Sequence, residues 1–306
     1  VERLLDAGAS VRVVGRSRAR LVDALGARAE EVELVEGDLT HGDVALAACE
    51  GRDVVLHLAA KVAGVGYNST HPATLLHANG LLGLHLLDAC VHSGVKRVLL
   101  TSSACVYRRA APVPTPESEG FVDDPEPTNF GYGWAKRFLE VLGRGYAEEH
   151  GLSVCLARPY NVYGPRDDFE WETNHVIPAL IRKVVEGQDP VVVWGDGTQT
   201  RSFVYVTDIA EMLLEACEKH AVCEPLNLGA DEEISVGDLV RLIIELSGRK
   251  TRIEFDSSKP AGQPRRSGDH ARAREVLTWR PRVSMREGLA RTIDWYLSRT
   301  GGAPRG

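Results

Sequence analysis

Short, continuous runs of Val and Leu recur through the first half of the chain, and stretches of helical periodicity separate them. The runs at Val11–Val14, Val32–Val35, Val54–Leu58, Val98–Thr101 and Ser153–Ala157 read as strands. They are apolar throughout rather than alternating, as strands buried on both faces are. Leu75–Ser93 and Trp134–His150 read as helices. Strands that alternate with helices predict an α/β fold built on a doubly wound parallel sheet. Right-handed crossovers then place ligands at the carboxyl ends of the strands.

The texture changes after Tyr163-Gly164-Pro165, where loops and charge become denser. Ser202–Val206 reads as one more strand and Asp208–Lys219 as the helix that follows it. A helix begins near Val236, a Pro/Gly/Arg loop spans Lys259–Gly268, and a last helix lies near Met285–Arg299. This half predicts a smaller C-terminal lobe closing over a cleft.

The 306 residues, 43% of them hydrophobic, suffice for a sizeable core in one large domain or a domain pair. A net charge of −7 argues against a nucleic-acid partner. No apolar run approaches ~18 residues, so no membrane partner is expected, and no signal peptide is read at the start. The six cysteines are Cys49, Cys90, Cys105, Cys155, Cys217 and Cys223. None forms a Cys-x-x-Cys pair or a Cys/His cluster of zinc spacing, so no metal is expected. Reduced thiols in a cytoplasmic protein are the simplest reading.

The chemistry centres on Tyr132-Gly133-Trp134-Ala135-Lys136. A four-residue spacing sets Tyr132 and Lys136 on one helix face. A nearby ammonium favours the phenolate, which is expected to bring the tyrosine toward working pH as a proton donor or acceptor for an alcohol or ketone. Thr101-Ser102-Ser103-Ala104-Cys105-Val106-Tyr107 follows an apolar strand, so a hydroxyl there sits at the strand's carboxyl end. Leu56-His57-Leu58-Ala59-Ala60 ends another strand with small residues, which let a cofactor approach the backbone.

These segments, together with Arg158-Pro159-Tyr160-Asn161-Val162-Tyr163-Gly164-Pro165, Arg201-Ser202-Phe203-Val204-Tyr205-Val206, Asn227-Leu228-Gly229 and Leu277-Thr278-Trp279-Arg280-Pro281, stand in the order found in extended short-chain dehydrogenases/reductases, the NAD-dependent epimerase/dehydratase family. The chain resembles that family over essentially its whole length. The resemblance implies a Rossmann-type dinucleotide-binding domain over 1–163, to which 203–224 returns. It implies a nucleotide-sugar-binding lobe over 164–202 and 225–306. Ser103, Tyr132 and Lys136 would be the catalytic triad, with Lys136 also on the nicotinamide ribose. Leu58, Ala59 and Ala60 would line the cofactor. The family commonly dimerises through two helices beside the sheet, here Leu75–Ser93 and Phe130–His150, which implies a homodimer.

Finer likenesses narrow the group. Ala59-Ala60-Lys61-Val62-Ala63-Gly64, Glu126-Pro127-Thr128-Asn129, Gly164-Pro165-Arg166-Asp167-Asp168-Phe169 and Asn174-His175-Val176-Ile177-Pro178-Ala179-Leu180 are similar to stretches of GDP-L-fucose synthases. Trp194-Gly195-Asp196-Gly197-Thr198-Gln199-Thr200-Arg201-Ser202-Phe203 and Met285-Arg286-Glu287-Gly288-Leu289 look more like GDP-mannose 3,5-epimerase. By that likeness Cys105 and His175 are the two proton-transfer residues. The chemistry is sensible, because a 4-keto group acidifies its neighbouring C–H bonds, and a thiol and an imidazole both exchange protons near neutral pH. The dehydratase relatives carry carboxylates at the positions of Ala104 and Cys105, which argues against 4,6-dehydration here. Lys61, Asn161, Arg201 and Arg265 would bind substrate, the last three on the diphosphate, where a guanidinium offers a planar fork to phosphate oxygens.

The family opens with a strand and a Gly-x-x-Gly-x-x-Gly turn that holds the pyrophosphate. Here Val1 enters directly into the end of a helix and then a strand. That opening segment either precedes Val1 or is lacking, and its true absence would leave a hole where a central strand belongs. After the first strand read here comes Gly15-Arg16-Ser17-Arg18. No acid is present to hold NAD ribose hydroxyls, and Arg16 and Arg18 lean toward NADP, with NAD the alternative. Asp38 is an adenine-side contact by resemblance. The expectation is a nucleotide-sugar 3,5-epimerase, foremost of a GDP-sugar, with or without 4-keto reduction. The alternatives are a 4-epimerase or another nucleotide-sugar oxidoreductase, and a catalytically silent nucleotide-binding scaffold.

Overall fold

A computed structural model describes residues 1–259 and 262–301. The elements run α1 (Glu2–Asp6), β1 (Arg12–Gly15), α2 (Arg18–Leu25), β2 (Glu33–Glu36), α3 (Gly42–Cys49), β3 (Val54–His57), α4 (Val65–Thr70), α5 (Pro72–His92), β4 (Arg97–Thr101), α6 (Phe130–His150) and β5 (Ser153–Pro159). The second half adds β6 (Val162–Tyr163), α7 (Val176–Val185), β7 (Val191–Trp194), β8 (Thr200–Ser202), β9 (Val204–Tyr205), α8 (Val206–Lys219), β10 (Pro225–Leu228), β11 (Glu233–Ser235), α9 (Val236–Ser247), β12 (Ile253–Asp256), β13 (Arg265–Arg266), α10 (Ala271–Val276) and α11 (Met285–Thr300).

The main sheet has the order β10-β5-β4-β3, parallel throughout, and β1 and β2 form a separate parallel pair. Val98, Leu99 and Leu100 of β4 and Val154, Cys155, Leu156 and Ala157 of β5 are wholly buried, which is why their sequence shows no polar alternation. Among the described residues β1 pairs only with β2 and β3 only with β4. The break lies at the position that the resemblance gives to the family's first strand.

Helices α5 and α6 pack side by side over β4 and β5. Pro72 opens α5 at its first turn, and Gly151 in left-handed conformation closes α6. Helix α5 is long and apolar enough to cross a membrane, but half of it is buried inside the fold, as a core helix is. A second apolar core joins α7, β7, α9 and α11 through Ile181, Val191, Leu239 and Leu289.

Three segments depart from expectation. The run 202–206 is divided into β8, which pairs with β11 and β13, and β9, which pairs with β6. Asn161 makes the division: its side-chain amide donates to the Ser202 carbonyl at 2.7 Å, and its own carbonyl accepts from Val204 N–H at 3.1 Å. Residues 225–228, expected in the smaller lobe, form the outer strand of the main sheet. The loop 259–268 contains the two-residue strand β13.

Behind the strand ends lies a buried polar network. The Arg158 guanidinium donates to both oxygens of Glu140, at 2.7 and 2.6 Å, and both side chains are essentially inaccessible. Ser102 donates to Glu140 at 2.5 Å, and Arg158 also reaches the Tyr107 hydroxyl at 3.0 Å. Tyr107 in turn donates to Asn227 on β10. Removing the carboxylate strands a buried guanidinium, which costs ~3–5 kcal/mol. Glu140→Ala is therefore expected to lower unfolding free energy by about that amount in urea titrations; a loss below ~1 kcal/mol would show that the network does not hold the fold.

Candidate active site

The site begins where β4 stops. Ser103 caps a single 3₁₀ turn, Ala104–Val106, its hydroxyl oxygen accepting from Cys105 N–H at 3.1 Å. This turn carries Cys105 beside the catalytic-type hydroxyl. Tyr132 and Lys136 lie one helical turn apart on α6, both buried. Gly133 makes the approach possible, since a Cβ there would come within 2.4 Å of the Cys105 carbonyl oxygen. The structure thus gathers Ser103, Cys105, Tyr132 and Lys136 in one place.

The electrostatics differ from the expectation for an isolated Tyr/Lys pair. Burial pushes the Tyr132 phenol well above the usual range, and Cys105 adds to this, while the hydrogen bond with Ser103 and the charge of Arg266 oppose it. The Lys136 ammonium donates to the Thr101 carbonyl at 2.6 Å and lies 5.5 Å from the Tyr132 ring centre. Burial lowers Lys136 itself to about 8, against the opposing pull of Cys105 and Glu140. His57, buried at the end of β3, is pushed down to about 3 by burial and by Lys136, so it is neutral at working pH.

A second group of charges faces this turn. The Arg266 guanidinium donates to Cys105 Sγ at 3.3 Å. Arg201 is lowered to about 10 by burial and by Arg266, with Glu126 opposing. Glu126 is itself buried, and its Oε1 has no hydrogen-bond partner. Arg265 is exposed and commits its fork to Glu233, at 2.7 and 2.9 Å, so the structure does not bring it to the turn. Arg266 is the residue that sequence reasoning passed over. The sequence held no separate signal for it, since the Arg-Arg pair reads as part of a loop and only the pairing of β13 with β8 turns the two side chains to opposite faces.

His175 is exposed at the N-terminus of α7, with Asp167 as its charged neighbour. Its segment is tied to the site indirectly. Gly64 N–H donates to the Thr173 carbonyl at 2.8 Å, and a Cβ on Gly64 would come within 2.5 Å of the Asn174 carbonyl. From α4, Asn68 then donates to Asn129, immediately before α6. Lys61 has an exposed side chain and a backbone clamped by Asn79, which accepts from its N–H and donates to its carbonyl, both at 2.9 Å. Asn161 spends its amide on Ser202.

The cofactor candidates lie at the carboxyl ends of β1, β2 and β3. Arg16 is exposed close to Asp38, whose carboxylate is stabilised by the backbone and side chain of Thr40 and held below the usual range. Arg18 donates to the Leu34 carbonyl at 3.2 Å. Leu58 is 58% exposed just past β3, and Ala59 and Ala60 follow with no bulk. The Thr101 hydroxyl is buried without a partner. An uncovered apolar surface, an unspent buried hydroxyl and an ammonium with protons to spare fit a nicotinamide dinucleotide. Lys136 would hold its ribose, and Arg16 and Arg18 its adenosine end. Among the described residues no group of His, Cys, Asp and Glu is arranged to hold a metal ion.

Comparison with known proteins places this architecture. Residues 1–229 match the NAD dependent epimerase/dehydratase family. GDP-L-fucose synthase 1 of Arabidopsis thaliana is 36% identical over 79% of this chain and 76% of its own length. A dTDP-4-dehydro-6-deoxy-D-allose reductase of a Streptomyces species is 34% identical, over 96% of this chain and 91% of its own. The structure of UDP-glucose 4-epimerase from Thermotoga maritima superimposes with a TM-score of 0.86 at 27% identity, over 98% of this chain and 94% of that one. The chain belongs to the NAD dependent epimerase/dehydratase family: it is an NAD(P)-dependent epimerase/reductase on a Rossmann-type fold.

Proposed function

We propose that the enzyme is a GDP-sugar 3,5-epimerase, with or without reduction of the 4-keto group. The observation that carries this reading is the thiol of Cys105 set beside Ser103, Tyr132 and Lys136. A dehydrogenase needs only the last three. A thiol at the same turn adds a group able to take a proton from carbon next to a ketone. The likeness to GDP-L-fucose synthases supports a GDP-linked substrate.

In this reading Cys105, as thiolate, removes the proton beside C4, and the electron pair moves into the carbonyl oxygen. Tyr132 and Ser103 stabilise that oxygen by hydrogen bonding. His175, as imidazolium, returns a proton to the opposite face, which inverts the centre and leaves a neutral imidazole. Solvent restores both groups between rounds. Lys136 holds the ribose of the cofactor, and Arg201 takes the diphosphate. A bound nicotinamide supplies the hydride where net reduction occurs. The likeness to a UDP-glucose 4-epimerase favours 4-epimerisation as the second reading. That route uses Ser103, Tyr132 and Lys136 but exchanges no proton at C3 or C5.

The NADP preference also belongs to this proposal and is supported by Arg16 and Arg18 beside an uncovered strand end. The reading of residues 1–163 with 203–224 as the cofactor-binding part, now extended to β10, is a proposal of the same kind. A homodimer is supported by the apolar Leu76, Phe138 and Val141, which stand 41%, 38% and 52% exposed on α5 and α6.

Heavy water separates the two enzymatic readings. The wild type is expected to place deuterium at C3 and C5 of a GDP-4-keto sugar, followed by NMR. Cys105→Ser loses that exchange almost completely, because an alcohol is a far weaker acid than a thiol. His175→Asn retains partial exchange but stops inversion. Exchange by Cys105→Ser at the wild-type rate would leave 4-epimerisation or plain reduction as the function.

Lys136 sets the alkaline limb of catalysis. Its charged form is present below about 8 and is lost as pH rises through that value. Turnover is therefore expected to fall tenfold per pH unit above the limb, and Lys136→Arg, where active, moves the limb upward. A flat profile to about pH 10 would show that the lysine charge is not used.

Replacing both arginines of the basic turn tests the cofactor preference. Arg16→Ala with Arg18→Ala is expected to lower the ratio of NADP to NAD affinity about tenfold, as loss of a phosphate contact does. An unchanged ratio in binding titrations would assign the turn to solvent.

A further inference from the structure

We infer that Arg266 is a positioning residue that holds Cys105 as a thiolate and aims its sulfur at the substrate carbon. The inference rests on the reading of Cys105 as the proton-abstracting base. Strand β13 pairs with β8 in register, Arg265 opposite Thr200 and Arg266 opposite Arg201. Alternation along the strand turns Arg265 outward to Glu233 and Arg266 inward to the sulfur. A guanidinium N–H at 3.3 Å from Sγ is a donor to sulfur that carries a full positive charge. Arginine keeps that charge throughout the working pH range.

The other groups around Cys105 do not take this part. The Ser103 oxygen accepts from the Cys105 backbone and does not donate to the sulfur. From α6, Tyr132 is pushed toward its neutral form, and Lys136 directs its ammonium at the Thr101 carbonyl. From β13 comes Arg266, with Glu126, Arg201 and Tyr160 as its other interacting neighbours. Glu126, buried and interacting with both guanidiniums, offsets part of their combined charge. Only the thiolate abstracts a proton, and at neutral pH an ordinary cysteine supplies a few per cent of it. A fixed cation on the sulfur raises that share before substrate arrives.

The test reads the sulfur directly rather than turnover. Cys49, Cys90, Cys155 and Cys217 are buried, so Cys223→Ser leaves Cys105 as the one cysteine of the six outside the buried set. In that background, alkylation of Cys105 by iodoacetamide is followed by mass spectrometry at about pH 7 and about pH 9.5, either side of the ordinary thiol range. Arg266→Gln is expected to slow alkylation about tenfold at the lower pH and less than about twofold at the higher, where any thiol ionises. Arg266→Lys keeps the charge and recovers most of the neutral rate. Equal rates for Arg266→Gln and its parent at neutral pH overturn the inference. So does an equal loss at both pH values, which would report misfolding or burial. So does a variant that weakens GDP binding while alkylating normally, since Arg266 would then serve the diphosphate alone. Failure of the epimerase reading is seen separately, as C3 and C5 exchange that persists in Cys105→Ser.

Discussion

A single buried carboxylate organises the catalytic end of this enzyme. Glu140 lies one turn beyond Lys136 on α6, which itself lies one turn beyond Tyr132, so the three share a helix face. At its far end that face is bolted to the sheet. Ser102 at the tip of β4 and Arg158 on β5 both donate to Glu140. With the far end fixed, the near end has little freedom, and Tyr132 meets the Ser103 turn in one arrangement. A buried ion pair is weak support for stability taken alone, since its desolvation cost is large. Its value here is register: it decides which turn of α6 faces which strand end.

Much of this was open to inspection in the sequence. Continuous Val and Leu runs foretell β4 and β5 because both faces of those strands are covered. The Tyr132/Lys136 spacing foretells a shared face because helical geometry is local. The small-residue ends of β3 and the turn after β4 likewise follow from local chemistry. What the sequence left hidden depends on pairing between distant segments. Asn161 cuts the run 202–206 in two by bonding across 41 positions, and no periodicity within the run reports that. Arg265 and Arg266 look equivalent in a loop, and only the pairing of β13 with β8 gives them opposite directions. The Tyr132 phenol is likewise raised where the spacing alone suggested lowering, because burial outweighs the groups that favour the phenolate.

The site is a balance of cations held near groups that are neutral or await charge. Lys136, Arg201 and Arg266 converge with Glu126 and Cys105 to offset them. Burial lowers Lys136 and Arg201, which means each would gain by meeting an anion. Such a site is short of negative charge, which suits it to the anionic nucleotide-linked substrates of its family.

The break between β1 and β3 bears on how the molecule behaves in solution. Each strand leaves one ladder edge without a partner among the described residues. Beside the edge of β3, Val54 is 48% exposed and Leu58 58%. A row of unsatisfied amides and carbonyls flanked by aliphatic side chains is a template on which any extended peptide can add itself, including the same edge of a second molecule. A strand laid between β1 and β3 would satisfy both ladder edges at once and cover the aliphatic side chains beside them.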